Sequence, residues 1–215
     1  MEDIILLGIG GHAHSVVDSI EQAGRYNIVG FLDRKELLGT CYRDYRVLGT
    51  DLDMCTYYDR GVKNAFITVG FLGQGDIRNR LYTQLKDAGY TVPNIIDKTA
   101  VVSENAELAE GIFVGKRAVI NAEARIERMC IVNTGAVVEH DCIVKEFSHI
   151  SVASILCGNV EVGQSSFVGA GATVLQGLCI GNRCVIGAGT TVRKNVEDHS
   201  MMRDDKIVKM YRGGV

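Results

Sequence analysis

Residues 132–167, written in sixes, read VNTGAV VEHDCI VKEFSH ISVASI LCGNVE VGQSSF. An aliphatic residue opens every block. The register extends in both directions without an insertion: Ile96, Val102, Leu108, Val114, Ile120, Ile126, Val132, Val138, Val144, Ile150, Leu156, Val162, Val168, Val174, Ile180, Ile186 and Val192, 17 positions of 17. Four places after each, the residue is small at 13 of the 17, among them Ala118, Cys130, Ala136, Cys142, Ser148, Ser154, Ala172 and Cys184. A helix would turn residues i and i+6 about 600° apart, onto different faces. A flat strand needs a period of two, not six. A coil of three short strands does need six, because each strand turns one large and one small residue inward and then bends. The fold expected is a parallel β-helix of a little under six coils, with 18 residues to a turn.

The rest of the composition agrees with thin, tightly turned units. There are 25 glycines, one proline, no tryptophan and only 7% aromatic residues. The chain of 215 residues is 47% hydrophobic and 23% charged, enough apolar surface for a large core. A net charge of -3 with mixed signs argues against a nucleic-acid binder. No apolar run approaches the roughly 18 residues that cross a bilayer, and no signal peptide opens the chain. Membrane insertion is not expected. The seven cysteines are odd in number and form no CxxC, so free thiols in a reducing cytoplasm are expected over a disulfide framework. Cys130, Cys142 and Cys184 sit in small inward slots and read as packing residues.

Residues 1–92 do not repeat. Ile4–Leu7 reads as a strand, 16–23 as a helix stopped by Gly24, Ile28–Leu32 and Ala65–Val69 as strands, and 76–88 as a helix stopped by Gly89. That order predicts a small parallel α/β sheet of Rossmann-like form. Pro93 marks the boundary expected before residues 93–215, the β-helix and its C-terminal extension. Gly8-x-Gly10-Gly11-x-Ala13 lies between the first strand and the first helix, and Asp33 follows Ala13 by 20 residues. Glycines let a phosphate approach the backbone, helix N-terminal N–H groups bind it, and an acid at the second strand's end accepts from ribose hydroxyls. Roughly 90 residues hold at most one mononucleotide half, so a nicotinamide dehydrogenase is disfavoured.

The hexads carry candidate chemistry only in one stretch. His140 is third in its hexad, at a turn, and its ring is expected to point outward beside Asp141. One coil later Gly158 should stack on His140 at about 4.8 Å, and one coil earlier Asn121 should stack on Glu139. An exposed imidazole, a carboxylate to orient it and a bare backbone N–H make a base with an oxyanion donor. His149 lies half a coil away, so one chain is not expected to bring the two rings together, whereas a neighbouring subunit could. A zinc enzyme on this fold would need three converging histidines, and the repeats hold only these two.

Gly8-Ile9-Gly10-Gly11-His12-Ala13, Ile120-Asn121-Ala122, Val138-Glu139-His140-Asp141-Cys142 and Phe147-Ser148-His149-Ile150-Ser151 together resemble the bacterial sugar acetyltransferases. These include sialic acid O-acetyltransferases and the UDP-4-amino-sugar N-acetyltransferases of bacillosamine synthesis. The resemblance implies a left-handed β-helix, a homotrimer, and metal-free acetyl transfer from acetyl-CoA to a nucleotide-linked amino sugar, or alternatively to a sugar hydroxyl. It implies His140 as general base with Asp141 beside it. Asn121, His149 and Gly158 would support the acetyl group, Gly158 through its amide. Gly8, Gly10, Gly11, His12 and Asp33 would contact the nucleotide. Three features depart from the pattern: Arg34 replaces a second acid, the loop at 71–75 is longer, and a segment from Met201 onward replaces Gly-x-Pro-Ala-Lys.

Overall fold

The computed structural model describes residues 1–73, 75–204 and 206–210. Gln74 and Asp205, which belong to the longer loop and the replaced C-terminal segment, lie outside the described residues, as do residues 211–215. The chain divides into two compact units, residues 1–70 with 75–98, and residues 71–74 with 99–215.

The first unit is built on β1 (Glu2–Leu7), α1 (Gly11–Ala23), β2 (Tyr26–Leu32), β3 (Cys41–Tyr42), β4 (Tyr45–Gly49), α2 (Met54–Asp59), β5 (Asn64–Ile67) and α3 (Ile77–Asp87). The sheet order is β3-β4-β2-β1-β5, parallel except for the β3–β4 hairpin. Ile4–Leu7 of β1 and Ala65–Ile67 of β5 are buried, which is why they read as unbroken apolar runs. The β3–β4 hairpin and α2 have no such signature. The hairpin's strands are short, with only Val47 and Gly49 buried, and the turn rests on Arg43 at φ 52°. The unit runs on to Lys98 because Val92 and Ile95 are buried in it and Asp97, 1% exposed, accepts the Ser19 hydroxyl at 2.7 Å.

The second unit is a left-handed parallel β-helix. Two-residue strands stack in register at intervals of one coil: Val119 pairs with Val137, Arg125 with Ile143, and Ile131 with His149. The first face stacks the strands from Val101–Val102 to Thr191–Val192, and the second those from Glu107–Leu108 to Cys179–Ile180. The third includes Phe113–Val114, Ile131–Val132, His149–Ile150, Phe167–Val168 and Val185–Ile186. It is closed by Ser200–Arg203 and an antiparallel strand, Lys206–Lys209. The aliphatic column is fully buried from Val114 onward, while Val102 and Leu108 at its open end are half-buried.

Two regularities explain how six residues close a turn. First, every sixth residue from Gly111 to Gly189 has a left-handed backbone: Gly111, Arg117, Glu123, Met129, Gly135, Asp141, Phe147, Ala153, Asn159, Ser165, Gly171, Gly177, Arg183 and Gly189. Only five of these are glycine, so the sequence conceals the rule, and the others bear the steric cost of a Cβ there. Second, the small inward side chains donate to a carbonyl fifteen residues ahead. Cys130 donates to Lys145, Cys142 to Cys157, Ser148 to Gly163 and Ser166 to Gly181, at 3.2, 3.1, 2.8 and 2.7 Å. These four core hydroxyls and thiols are therefore satisfied, whereas the buried Thr190 hydroxyl has no hydrogen-bond partner among the described residues. Burial pushes the Cys142 thiol up to about 11, so it is a packing group and not a nucleophile. All seven cysteines are free.

Ala153 tests the turn rule, being exposed with φ 54°. Ala153→Gly should raise stability by about 0.5–1 kcal/mol, against the usual direction for an alanine-to-glycine change. The midpoint of urea unfolding reads it, and a fall in midpoint would contradict a strained turn.

Candidate active site

The left-handed turn at Asp141, φ 59°, folds the carboxylate back onto the preceding residue. Its Oδ2 lies 2.7 Å from His140 Nδ1. Both side chains remain 55% exposed, so the pair is presented to solvent. A carboxylate only accepts, so Nδ1 carries a proton, and in the neutral ring Nε2 bears the lone pair. The backbone of the next coil lies against the ring: Asn159 N–H donates to the His140 carbonyl at 2.9 Å. Gly158 is buried there, and a Cβ on it would stand 2.6 Å from both Cε1 and Nε2 of His140. Its φ is not left-handed, so glycine is needed for space alone. Among the described residues no hydrogen bond uses the Gly158 N–H.

Asn121 lies in register with Glu139, since Ile120 pairs with Val138, and its N–H donates to the Val138 carbonyl at 2.9 Å. Its half-buried side chain makes no hydrogen bond to His140 or Asp141. The Glu139 carboxylate accepts from the His140 N–H at 3.3 Å, an added brace that the sequence did not single out. His149 is brought to neither residue. It begins a strand of the third face, is 6% exposed, and has ring partners of its own.

In the first unit, β1 delivers the glycine loop to the N-terminus of α1. Gly8 has φ 103°, and a Cβ there would meet Val69 Cγ2 at 2.7 Å, so both conformation and space demand glycine. Gly10 and Gly11 face open space, so this backbone is accessible. α1 has no side-chain cap and no acid in its first turn, which leaves its leading N–H groups to a ligand. His12 is half-buried in that turn and packs beside Gly70. Asp33, at the end of β2, accepts the Ile9 N–H through Oδ2 and the Arg34 N–H through Oδ1, each at 2.7 Å. It therefore braces the loop as well as facing a pocket. Leu32, Val69, Ile77 and Leu81 wall that pocket, and Asp51 and Arg80, 3.5 Å apart, stand at its polar side. Asp51, Ile77 and Arg80 carry no motif, and only the folding of the sheet gathers them.

Another depression, of about 570 Å³, lies on the second face of the β-helix. Its cations are already matched, Arg125 to Glu107 and Lys145 to Glu161. Among the described residues no group of three or more His, Cys, Asp or Glu side chains converges to hold a metal, and no helix is long and apolar enough to cross a membrane.

The PglD N-terminal domain family matches residues 3–85, and the bacterial transferase hexapeptide family (six repeats) matches residues 154–194. Perosamine N-acetyltransferase from Caulobacter crescentus is 32% identical, with a TM-score of 0.88 over 94% of this chain and 93% of that one. The chain belongs to the bacterial sugar acetyltransferases. The acetyltransferase domain of PglB from Neisseria gonorrhoeae is 29% identical to this acetyltransferase, with a TM-score of 0.86 over 94% and 96% of the two chains. WeeI from Acinetobacter baumannii, 20% identical over 97% and 100% of the two chains with a TM-score of 0.85, shares the fold. The Caulobacter enzyme is known in complex with CoA and GDP-perosamine, in variants with one histidine replaced by asparagine or by alanine. The Neisseria domain is known with acetyl coenzyme A. No curated protein sequence matches this acetyltransferase.

The fit of Gly158 against His140 can be tested directly. In Gly158→Ala the new Cβ meets the movable end of a side chain, so the fold should tolerate it and the ring should swing away. Turnover should fall on the order of 10²-fold, the usual cost of misplacing a reacting group by about 1 Å. The thermal midpoint should stay near wild type, and the His140 Cε1–H resonance should shift.

Proposed function

We propose that this enzyme transfers acetyl from acetyl-CoA to the amine of an amino sugar carried on a nucleoside diphosphate. The observation that carries the reading is the His140–Asp141 pair, with its free Nε2 lying against the Gly158 backbone. Asp141 holds the Nδ1–H tautomer. His140 Nε2 takes the proton from the sugar amine as its nitrogen forms the new bond to the acetyl carbon. The Gly158 N–H donates to the carbonyl oxygen as it becomes negative. The carbon–sulfur bond then breaks, and the proton on Nε2 passes to the departing CoA thiolate. No covalent acyl-enzyme is needed.

Acceptor binding falls to the first unit. Gly10, Gly11 and the α1 N-terminus hold the diphosphate, His12 lies beside it, and Asp33 accepts from the ribose. The similarity to bacillosamine enzymes favours UDP, while the Caulobacter relative carries GDP-perosamine. Titrating the enzyme with UDP and with GDP decides the base. If neither nucleotide binds, the nucleotide-sugar reading fails.

The assembly proposed is a homotrimer. The outward residues of the first face, Val101, Val119, Val137, Ile155, Thr173 and Thr191, form a β-branched stripe, with Val101 62% and Ile155 38% exposed. An exposed stripe of this kind is a natural seat for a second copy. It borders the turn that carries His140, and a neighbour seated there would close a groove for the thioester. Ile155→Glu should convert trimer to monomer by light scattering and abolish turnover. A trimer that survives the charge would refute this face.

For the chemistry, His140→Ala should lower kcat by roughly 10²–10⁴-fold with little change in the KM for acetyl-CoA. Asp141→Asn should cost less. In wild type kcat/KM should fall as the pH is lowered, because a protonated imidazole cannot accept. Asp33→Ala should raise the acceptor KM, by the equivalent of about 1.5–3 kcal/mol for a hydrogen bond to a charged group, and leave the acetyl-CoA KM unchanged. Mass spectrometry of products from amino and hydroxy sugars reads which nucleophile is used.

A further inference from the structure

His149 is the one histidine of the repeats that the proposed reaction does not use. Its ring is 6% exposed, lies in register between Ile131 and Phe167, and meets the edge of Phe167 at 5.2 Å and 73°. Nδ1 stands 2.6 Å from the carbonyl oxygen of Phe71. Nε2 stands 3.2 Å from Nδ2 of Asn133. The proton on this ring can be placed from its partners alone. A carbonyl only accepts, so Nδ1 must donate. The Asn133 amide is oriented independently, because its Oδ1 accepts the Thr134 N–H at 2.8 Å. Its NH2 therefore faces His149, and an NH2 group only donates. Nε2 must present a lone pair. Both bonds demand the same neutral Nδ1–H tautomer. A proton on Nε2 would set an N–H against the Asn133 NH2, and a substrate proton would compete with that amide for the lone pair.

The accepting carbonyl belongs to the longer loop noted in the sequence. Phe71 is 7% exposed. Gly73, at φ 86°, lies so close to the third face that a Cβ there would stand 2.5 Å from Val185 Cγ2 and 3.1 Å from Phe167 Cβ. Phe71 and Gly73 are thus seated on His149, Phe167 and Val185.

We propose that His149 is a positioning residue: a neutral imidazole that pins Phe71 on the third face without moving a proton in the reaction. Its kinetic consequence rests on the acetyltransferase reading above, whereas its tautomer does not. The experiment has two arms. In long-range 1H–15N NMR of the whole, histidine-labelled enzyme at the assay pH, His149 should show the neutral Nδ1–H form. An Nε2–H or doubly protonated ring overturns the proposal, whatever the substrate proves to be. In the kinetic arm, His149→Asn places an amide NH2 near the position of Nδ1 and should restore the bond to Phe71. His149→Phe keeps the shape without a donor. His149→Phe should lower the thermal midpoint by several degrees, the effect of leaving a buried carbonyl unpaired. His149→Asn should bring it back towards wild type, with turnover and the acid limb of the pH profile retained. If His149→Asn instead slows turnover by about two orders of magnitude or more while the midpoint stays near wild type, the residue acts in proton transfer and the proposal is overturned. Failure to acetylate any sugar nucleotide would defeat the functional reading and leave the tautomer result standing.

Discussion

Everything in the second unit depends on one backbone constraint, a left-handed residue at every sixth position from 111 to 189. That conformation bends the chain between two-residue strands, and three bends return it to its starting face. Because the interval is constant, each residue stacks on the one 18 positions away. The aliphatic column, the hydroxyl and thiol bonds to carbonyls fifteen residues on, and the parallel ladders are consequences of that interval. Few of the bends use glycine, so most turns are strained locally and held by the burial on either side of them.

The same constraint makes the His140–Asp141 pair. Asp141 occupies a bend, and its left-handed φ turns the carboxylate onto the His140 ring. The next coil delivers Gly158, whose missing side chain leaves room for that ring. The base, orienting acid and amide donor proposed here come from two adjacent residues, His140 and Asp141, and one stacked glycine, Gly158, with no special loop. A repeat scaffold can thus carry chemistry at one corner without altering the column that stabilises it. The first unit works by a different rule. Its strands end at a common edge, and the glycine loop, Asp33, Asp51 and Arg80 meet there because the parallel sheet aligns them.

His149 shows why residue type and spacing do not fix a role. It resembles an active-site histidine and lies nine residues from His140, yet half a coil separates them and both ring nitrogens are engaged. An amide oriented by a neighbouring backbone N–H and a carbonyl from the 71–73 loop dictate its tautomer. None of these partners is near it in the chain apart from Asn133 and Thr134, one coil earlier. A loop that reads in the sequence only as a few extra residues supplies the decisive acceptor.

The hexad series by itself determined the β-helix, the inward column and the stacking of Gly158 on His140, because a strict period leaves one register in which every aliphatic residue is buried. The apolar runs and the glycine loop likewise determined that the first unit is a small parallel sheet with helices between its strands. Only the tertiary structure decided the β3–β4 hairpin, the left-handed bends at arginine, asparagine and alanine, the pocket residues Asp51, Ile77 and Arg80, and the partners of His149. These rest on contacts between distant segments, and a side chain's partners across such a gap leave no periodic trace in the chain. Local pattern fixes which face a residue takes; packing from elsewhere fixes what it touches there, and with it the proton it holds.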